Sequence, residues 1–322
     1  MLVTGADGFI GSHLVEHLLA EGAIVRALTW YHPQQNWGWM EDVPPHERLS
    51  IVSGDIRDAR ACHGWLSGVD MVFHLAALIG IPYSYEAPES YLSTNISGTL
   101  NLLEACREHE TRMIFMSTSE VYGTALQVPI NEDHPLQPQS PYSATKIGAE
   151  ALVRSYFYSF GLPVTIARVF NTYGPRQSAR AIIPTIITQL AAGVPSLKLG
   201  DLRPTRDLVY VADTCRCLIA IASVEESIGK AVNICTGQDQ SMQTVVDTIQ
   251  QLMQVEVAIE LDARRVRPEG SEVMRLCGDH ALLRSLTGTS PSVSLEDGLQ
   301  HTIDWFLDPR RYTQYKPDHY HV

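Results

Sequence analysis

Residues 5–11 read GADGFIG. Gly5, Gly8 and Gly11 follow a short apolar run, 1-MLVTG-5, and lead into 11-GSHLVEHLLAEG-22, where Leu14, Leu18 and Leu19 recur at helical spacing and Gly22 stops the pattern. A strand that turns this tightly into a helix commits the chain to a β–α unit. It also brings bare backbone and the unpaired N–H groups of a helix start to one place, where a phosphate can be held. The alternation continues through strand-like 23-AIVRAL-28, 49-LSIVSGD-55 and 69-VDMVFHLAA-77. A helical stretch over 88–109 follows, then strand-like 112-RMIFMSTS-119, a helix over 141–160 and strand-like 163-PVTIARVF-170. Strands separated by helices specify a parallel sheet covered on both faces, an α/β doubly wound sheet of the Rossmann kind.

After residue 170 the rhythm breaks. Turn residues cluster in 171-NTYGPRQ-177 and 200-GDLRPTRD-207, and helix-like 181-AIIPTIITQLAAG-193 and 241-SMQTVVDTIQQLM-253 stand among short strand-like pieces. A smaller C-terminal α/β part for the substrate is expected there. The apolar 208-LVYVADTCRCLIAIAS-223 and 231-AVNICTG-237 are expected to return to the main sheet. The division is therefore 1–170 plus 205–236 for the dinucleotide and 171–204 plus 237–322 for the substrate.

Composition narrows the functions. The net charge is −12 and no run of five basic residues occurs, which argues against nucleic acid as a partner. No apolar run approaches a membrane span, and the chain opens directly on a strand pattern, so a soluble cytoplasmic protein without a leader is expected. Six cysteines are scattered; Cys215 and Cys217 alone are close, in a spacing that fits no common zinc pattern, so no metal is expected and the thiols are read as free. His319 and His321, in the polar tail, are read as a loose end.

The glycine turn directly after the first strand points to a dinucleotide, with the pyrophosphate over Gly5, Gly8, Phe9, Ile10 and Gly11. One partner is missing. Such a site usually carries an acidic residue at the end of the second strand to hold the adenosine ribose. Here that region reads 25-VRALTWYH-32, without a carboxylate. Thr29, Tyr31 and His32 can bond a ribose hydroxyl, and Arg26 could reach a 2′-phosphate, which keeps NADP open. NAD is the first expectation, because no basic pair sits at the strand end itself. Asp55, in 54-GDIRD-58, is placed to meet the adenine.

In 142-YSATK-146, Tyr142 and Lys146 lie four apart on one helix face. A tyrosine of pKa about 10 is a poor base near neutrality. A nearby ammonium and a positive nicotinamide ring would favour its phenolate, letting Tyr142 take a proton from an alcohol as hydride leaves the same carbon.

With these residues in place the chain resembles the extended short-chain dehydrogenase/reductases that act on nucleotide sugars. The resemblance covers nearly the whole chain and rests on 5-GADGFIG-11, 54-GDIRD-58, 74-HLAA-77, 117-STSEVYG-123, 142-YSATK-146, 168-RVFNTYGPRQ-177 and 206-RDLVYVAD-213. Within that family it is most similar to UDP-N-acetylglucosamine 4,6-dehydratases of the legionaminic-acid pathway type, through 37-WGWMED-42, 174-GPRQSARAIIPTIITQ-189, 199-LGDLRPTRDLVYVADT-214 and 264-RRVRPEGSEVMRLCGD-279.

The resemblance implies roles. Thr118, Tyr142 and Lys146 form the hydride-transfer set. Thr29, Asp55, Ile56, Leu75, Ala76, Ala77 and Asn95 line the cofactor. Asn171 contacts the substrate diphosphate, Arg180, Arg206 and Arg267 surround phosphates and ribose, and Lys198 and Glu269 complete the substrate set. A homodimer is expected, with 154-RSYFYSF-160 either its contact or core.

Glu120 separates the chemistries. An epimerase oxidises C4 and returns the hydride to the other face. A dehydratase must also remove the C5 proton and protonate the departing C6 hydroxyl, which asks for a carboxylate beside the sugar. The dTDP-glucose dehydratases carry Thr-Asp-Glu, whereas this chain has Thr118-Ser119-Glu120. Glu120 is therefore expected to serve as both base and acid, with Ser119 orienting it. GDP-mannose dehydratases and UDP-glucuronate decarboxylases share the Thr-Ser-Glu pattern, so a decarboxylase, a 4-epimerase and a GDP-sugar substrate stay open. A non-catalytic NAD(P)-binding sensor would have no use for these four residues together.

Overall fold

The computed structural model describes residues 1–32, 36–312 and 315. Seven parallel strands form the main sheet: β1 (Leu2–Thr4), β2 (Val25–Thr29), β3 (Leu49–Ser53), β4 (Met71–His74), β5 (Arg112–Thr118), β6 (Val164–Val169) and β10 (Ala231–Ile234), in the order β10-β6-β5-β4-β1-β2-β3. Residues of β1, β6 and β10 are buried throughout, as expected of strands covered on both faces. Helix α1 (Phe9–Ala20) covers one face with the later α8 (Val211–Ala222). Helices α2 (Ala59–Leu66), α5 (Gly98–His109) and α6 (Pro141–Phe160) cover the other. Two short helices, α3 (Ile81–Glu86) and α4 (Pro88–Tyr91), and a π-helical turn over Leu92–Ser97 lead into α5. The strand order reverses between β1 and β4, which opens a crevice at their carboxyl ends.

The smaller part carries two sheets. β9 (Thr205–Tyr210) lies between β11 (Asp239–Ser241) and β13 (Arg275–Leu276) and also pairs with β7 (Asn171–Tyr173), while β8 (Ser196–Leu199) pairs with β12 (Ala258–Leu261). Its core joins α7 (Ile182–Ala191), α9 (Met242–Met253) and α11 (Leu295–Leu307) through Ile186, Val246 and Phe306. The last helices are α10 (Ala281–Thr287) and α12 (Pro309–Tyr312). Of the two segments expected to rejoin the main sheet, 231–237 does so as β10. The other splits: α8 packs against the main sheet, but β9 belongs to the small one. Its backbone ladders to β7, β11 and β13 place β9 there. The buried Asp207 carboxylate accepts the N–H groups of Thr236, Gly237 and Gly278 and the Thr236 hydroxyl, tying β9 to the segments beside it. No helix among the described residues is long and apolar enough to cross a membrane. All six cysteines are buried and unpaired, and His319 and His321 lie outside the described residues.

Candidate active site

The glycine turn is shaped by contact with its neighbours. Gly5 has φ +69, and a Cβ there would stand 2.9 Å from the Ala76 nitrogen; one on Gly11 would run into the Gly5 carbonyl. Gly8 is the N-cap of α1, so Phe9, Ile10 and Gly11 form the helix start facing the crevice. Behind the turn, the Thr4 hydroxyl accepts the N–H groups of Leu75 and Ala76, each at 3.1 Å, and lies 2.9 Å from His74 Nδ1. Burial and the nearby Lys146 lower the His74 pKa to about 3. The ring is therefore neutral, and its Nε2 meets the Thr99 hydroxyl at 3.0 Å. These bonds lock the walls formed by β1 and β4, and Ala77 continues the second wall.

Other expected cofactor residues serve as its frame. Asn95 is buried and turned away from open space: its amide closes on Leu78 N–H and C=O and on Thr145. The Thr29 hydroxyl is engaged with Ser53. Ile56 is buried, and its carbonyl accepts from Asn101. Burial works against ionisation of Asp55, yet the Arg57 guanidinium, forked on both its oxygens, holds the carboxyl below the ordinary range. Arg26 is displaced from the role of a 2′-phosphate ligand. It stands near the amino end of β2, and its guanidinium bonds the carbonyls of Trp65 and Ser67 at the carboxyl end of α2, away from the crevice.

The helix that carries Tyr142 and Lys146 starts where its sequence says it should. Ser140 and Ser143 cap each other's N–H groups and Pro141 occupies the first turn, which fixes Tyr142 and Lys146 on the face toward β5. Opposite, Thr118 ends β5 and its hydroxyl accepts the Glu120 N–H at 3.2 Å. Burial raises the Tyr142 pKa, the Thr118 hydroxyl hydrogen-bonds to the phenol and pulls it down, and the Glu120 carboxylate pushes it up. Thr118, Glu120 and Tyr142 are thus brought together. Ser119 is buried, and among the described residues its hydroxyl makes no hydrogen bond to Glu120.

Lys146 stands differently from expectation. Its Nζ donates to the Met116 carbonyl at 2.7 Å and lies 4.3 Å from the centre of the Phe115 ring. Burial lowers its own pKa to about 8, against the pull of Glu150.

A buried polar network escaped the sequence reading. Ser117 donates to Glu150 at 2.6 Å, Glu150 is paired with Arg168 at 2.8 Å, and Arg168 donates to the Tyr122 hydroxyl, which donates to Asn233. Both ends of 117-STSEVY-122 are therefore pinned around Glu120. The clue was present: Arg168 is a charge inside an otherwise apolar strand run, and Glu150 follows Lys146 by one helical turn.

On the substrate side the expected residues separate into groups. Arg206 is buried, bonded to the Thr205 and Val273 carbonyls and to Glu272 at 2.8 Å, and Arg267 lies 3.6 Å from the same carboxylate. Arg180 is elsewhere. It bonds Ser178 and reaches Gly80, whose added Cβ would meet its guanidinium at 2.7 Å, and its charge acts on Tyr91, which packs edge-on against Tyr142 at 6.3 Å. Asn171 begins β7, and its buried Oδ1 has no hydrogen-bond partner among the described residues. Lys198 is on β8 with an exposed side chain, and its backbone N–H is held by Gln189. Glu269 falls in a single helical turn, and its side chain lies outside the described residues. In 154–160, Tyr156 is core, while Tyr158 and Phe160 are exposed.

The chain matches the family profile for GDP-mannose 4,6 dehydratase over residues 2–302. It is 35% identical over 312 residues to the low-salt glycan biosynthesis protein Agl12 of Haloferax volcanii, covering 95% of this chain and 98% of that one. It is 34% identical over 322 residues to a UDP-N-acetyl-alpha-D-glucosaminuronate decarboxylase of Bacillus cytotoxicus, covering 95% and 97%. Among solved structures, a dTDP-glucose 4,6-dehydratase double mutant of Streptomyces venezuelae with NAD bound superposes with a TM-score of 0.89 at 31% identity, covering 96% of this chain and 97% of that one. A matching profile over nearly the full length, relatives above 30% identity and a shared fold agree: this chain belongs to the extended short-chain dehydrogenase/reductase family of nucleotide-sugar dehydratases, decarboxylases and epimerases.

Proposed function

We propose that this protein is an NAD-dependent nucleotide-sugar 4,6-dehydratase, with UDP-N-acetylglucosamine as the first-choice substrate. The observation that carries the reading is Glu120, held beside Tyr142 and Thr118 at the end of β5. An acid so close to the redox tyrosine suits a reaction that continues past C4. The cofactor fits the crevice: a Cβ on Gly5 or Gly11 would fill the turn, so bare backbone is kept where a pyrophosphate would lie against the start of α1. NAD bound there supplies a two-electron acceptor for C4 and afterwards a donor for C6.

Tyr142 takes the proton of the C4 hydroxyl, with Thr118 holding that hydroxyl in line. Ketone formation at C4 acidifies the proton on C5. Glu120 takes that proton, the C6 hydroxyl departs with the same proton as water, and a C5–C6 double bond forms. C6 then receives hydride and C5 a proton that Glu120 has taken up from solvent, giving the 4-keto-6-deoxy sugar with net loss of one water. Lys146, charged below about pH 8, sits one helical turn from Tyr142 and would bind a ribose hydroxyl. Asn171, with its unpartnered oxygen, and Arg206 and Arg267 are the proposed diphosphate and nucleotide contacts. Ser119 has no hydrogen bond supporting its orienting role. The exposed Tyr158 and Phe160 on α6 fit the homodimer we propose.

One observation favours a second reading, a UDP-sugar-acid decarboxylase. Arg180 stands against Gly80 and Tyr91, next to Tyr142, where it could receive a carboxylate on C5. The two readings part on mass. Incubation with UDP- and GDP-sugars and UDP-sugar acids, followed by mass spectrometry, should show loss of water from a UDP-hexose. Loss of CO2 from a sugar acid alone supports the second reading, and conversion without mass change would reject both in favour of epimerisation.

A further inference from the structure

The second strand ends without the carboxylate that usually holds the adenosine ribose, yet a carboxylate stands at that strand end. It comes from the glycine turn itself. Asp7, between Gly5 and Gly8, reaches across to β2, and its Oδ2 accepts the backbone N–H of Trp30 at 3.1 Å; Trp30 directly follows Thr29, the last residue of β2. The 37–42 segment holds the same residue from the other side. The Trp39 N–H donates to the Asp7 carbonyl at 3.1 Å, and Gly38, at φ +56, lies so close that an added Cβ would stand 2.7 Å from the Asp7 carbonyl oxygen and 3.0 Å from its Cβ. Burial raises the Asp7 carboxyl above the ordinary range, offset only by the N–H groups of Trp30 and of Asp7 itself. Among the described residues no cation is paired with it, in contrast to Asp55, which is committed to Arg57.

We propose that Asp7 takes the place of the missing strand-end acid: its carboxylate receives the hydroxyls of the adenosine ribose of NAD and repels a 2′-phosphate, which makes it the residue that selects NAD over NADP. The inference rests on the reading that the crevice takes a dinucleotide. Geometry favours it in two ways. A carboxylate fixed at the carboxyl end of β2 occupies the position from which ribose hydroxyls are reached in this fold. It also stands on the turn that faces the pyrophosphate, so one loop would grip both ends of the adenosine diphosphate half. Arg57 lies with its guanidinium 5.3 Å from the centre of the Trp30 ring and is bonded to both oxygens of Asp55, already neutralised.

The test is calorimetric titration of the full chain with NAD+ and NADP+. Asp7→Asn keeps an oxygen for the Trp30 N–H and removes the charge, and its melting curve reports whether it folds. The unaltered protein should bind NAD+ and discriminate against NADP+ by about a hundredfold; the variant should bind NAD+ about tenfold or more weakly, with the discrimination reduced to within about tenfold. An independent measurement needs no variant: NAD+ lacking both adenosine ribose hydroxyls should bind the unaltered protein about tenfold or more weakly. Equal affinity for that analogue, an Asp7→Asn variant with unchanged NAD+ affinity and selectivity, or a preference of the unaltered protein for NADP+ would each overturn the assignment while leaving the dinucleotide reading in place. If the unaltered protein binds neither dinucleotide, the cofactor reading itself falls and the assignment with it.

Discussion

On the glycine side of the crevice the lining is backbone, and its walls are already braced: Thr4 holds Leu75 and Ala76, and Asn95 holds Leu78. On the substrate side the groups are guanidiniums resting on acids, Arg206 and Arg267 on Glu272, beside an Asn171 oxygen with no partner. The first half is a fixed mould, and a ligand entering it would displace little. In the second, the diphosphate contact we propose would compete with Glu272 for the same donors, so binding and rearrangement would be coupled there. The 117–122 segment, which carries the proposed acid, is anchored through Glu150 and Arg168.

Four substitutions would break or sharpen that contrast. The largest effect is expected at the shared tyrosine: Tyr142→Phe should lower kcat about a thousandfold or more with unchanged melting temperature, read by stopped-flow turnover. Next, Glu150→Gln leaves Arg168 buried without its counter-charge and should cost about 3–5 kcal/mol of stability in denaturant unfolding. A loss below about 1 kcal/mol would mean that the network does not anchor the 117–122 segment.

Third, His74 is kept neutral when folded, with a pKa lowered from 6.5 to about 3. Between those pH values the unfolded chain takes up a proton that the folded chain refuses. Stability should therefore fall as pH drops through the window, by up to about 1.4 kcal/mol per pH unit from this group. His74→Asn should flatten that slope, measured by urea unfolding at pH 7, 5.5 and 4.5. The smallest effect falls on the adaptable side: Arg206→Lys should raise KM for the nucleotide sugar about tenfold and change kcat by less than about threefold.

The contrast also explains what the sequence made legible. The glycine turn, the strand order's parallel character and the Tyr142–Lys146 face are local patterns, written in spacings of a few residues, and they stand as read. What escaped depends on distant pairing. β9 joins the small sheet because its ladder partners, β7, β11 and β13, lie at residues 171–173, 239–241 and 275–276. Arg180 parts from Arg206 and Arg267 because Glu272, 66 positions from Arg206, gathers only those two. Lys146 has the spacing for Tyr142, but the Met116 carbonyl 30 positions away claims its ammonium. The missing acid of β2 was sought within its own strand, while the candidate carboxylate lay 23 positions upstream.

The central claim is that Glu120 carries the reaction from C4 to C5 and C6. Its most direct test is Glu120→Gln, incubated with UDP-N-acetylglucosamine in deuterium oxide and followed by absorbance at the reduced nicotinamide band and by mass spectrometry. Cofactor reduction should persist, while deuterium entry at C5 and water loss should fall by about a hundredfold or more. A variant that still forms the deuterated 4-keto-6-deoxy product at the unaltered rate would contradict the account.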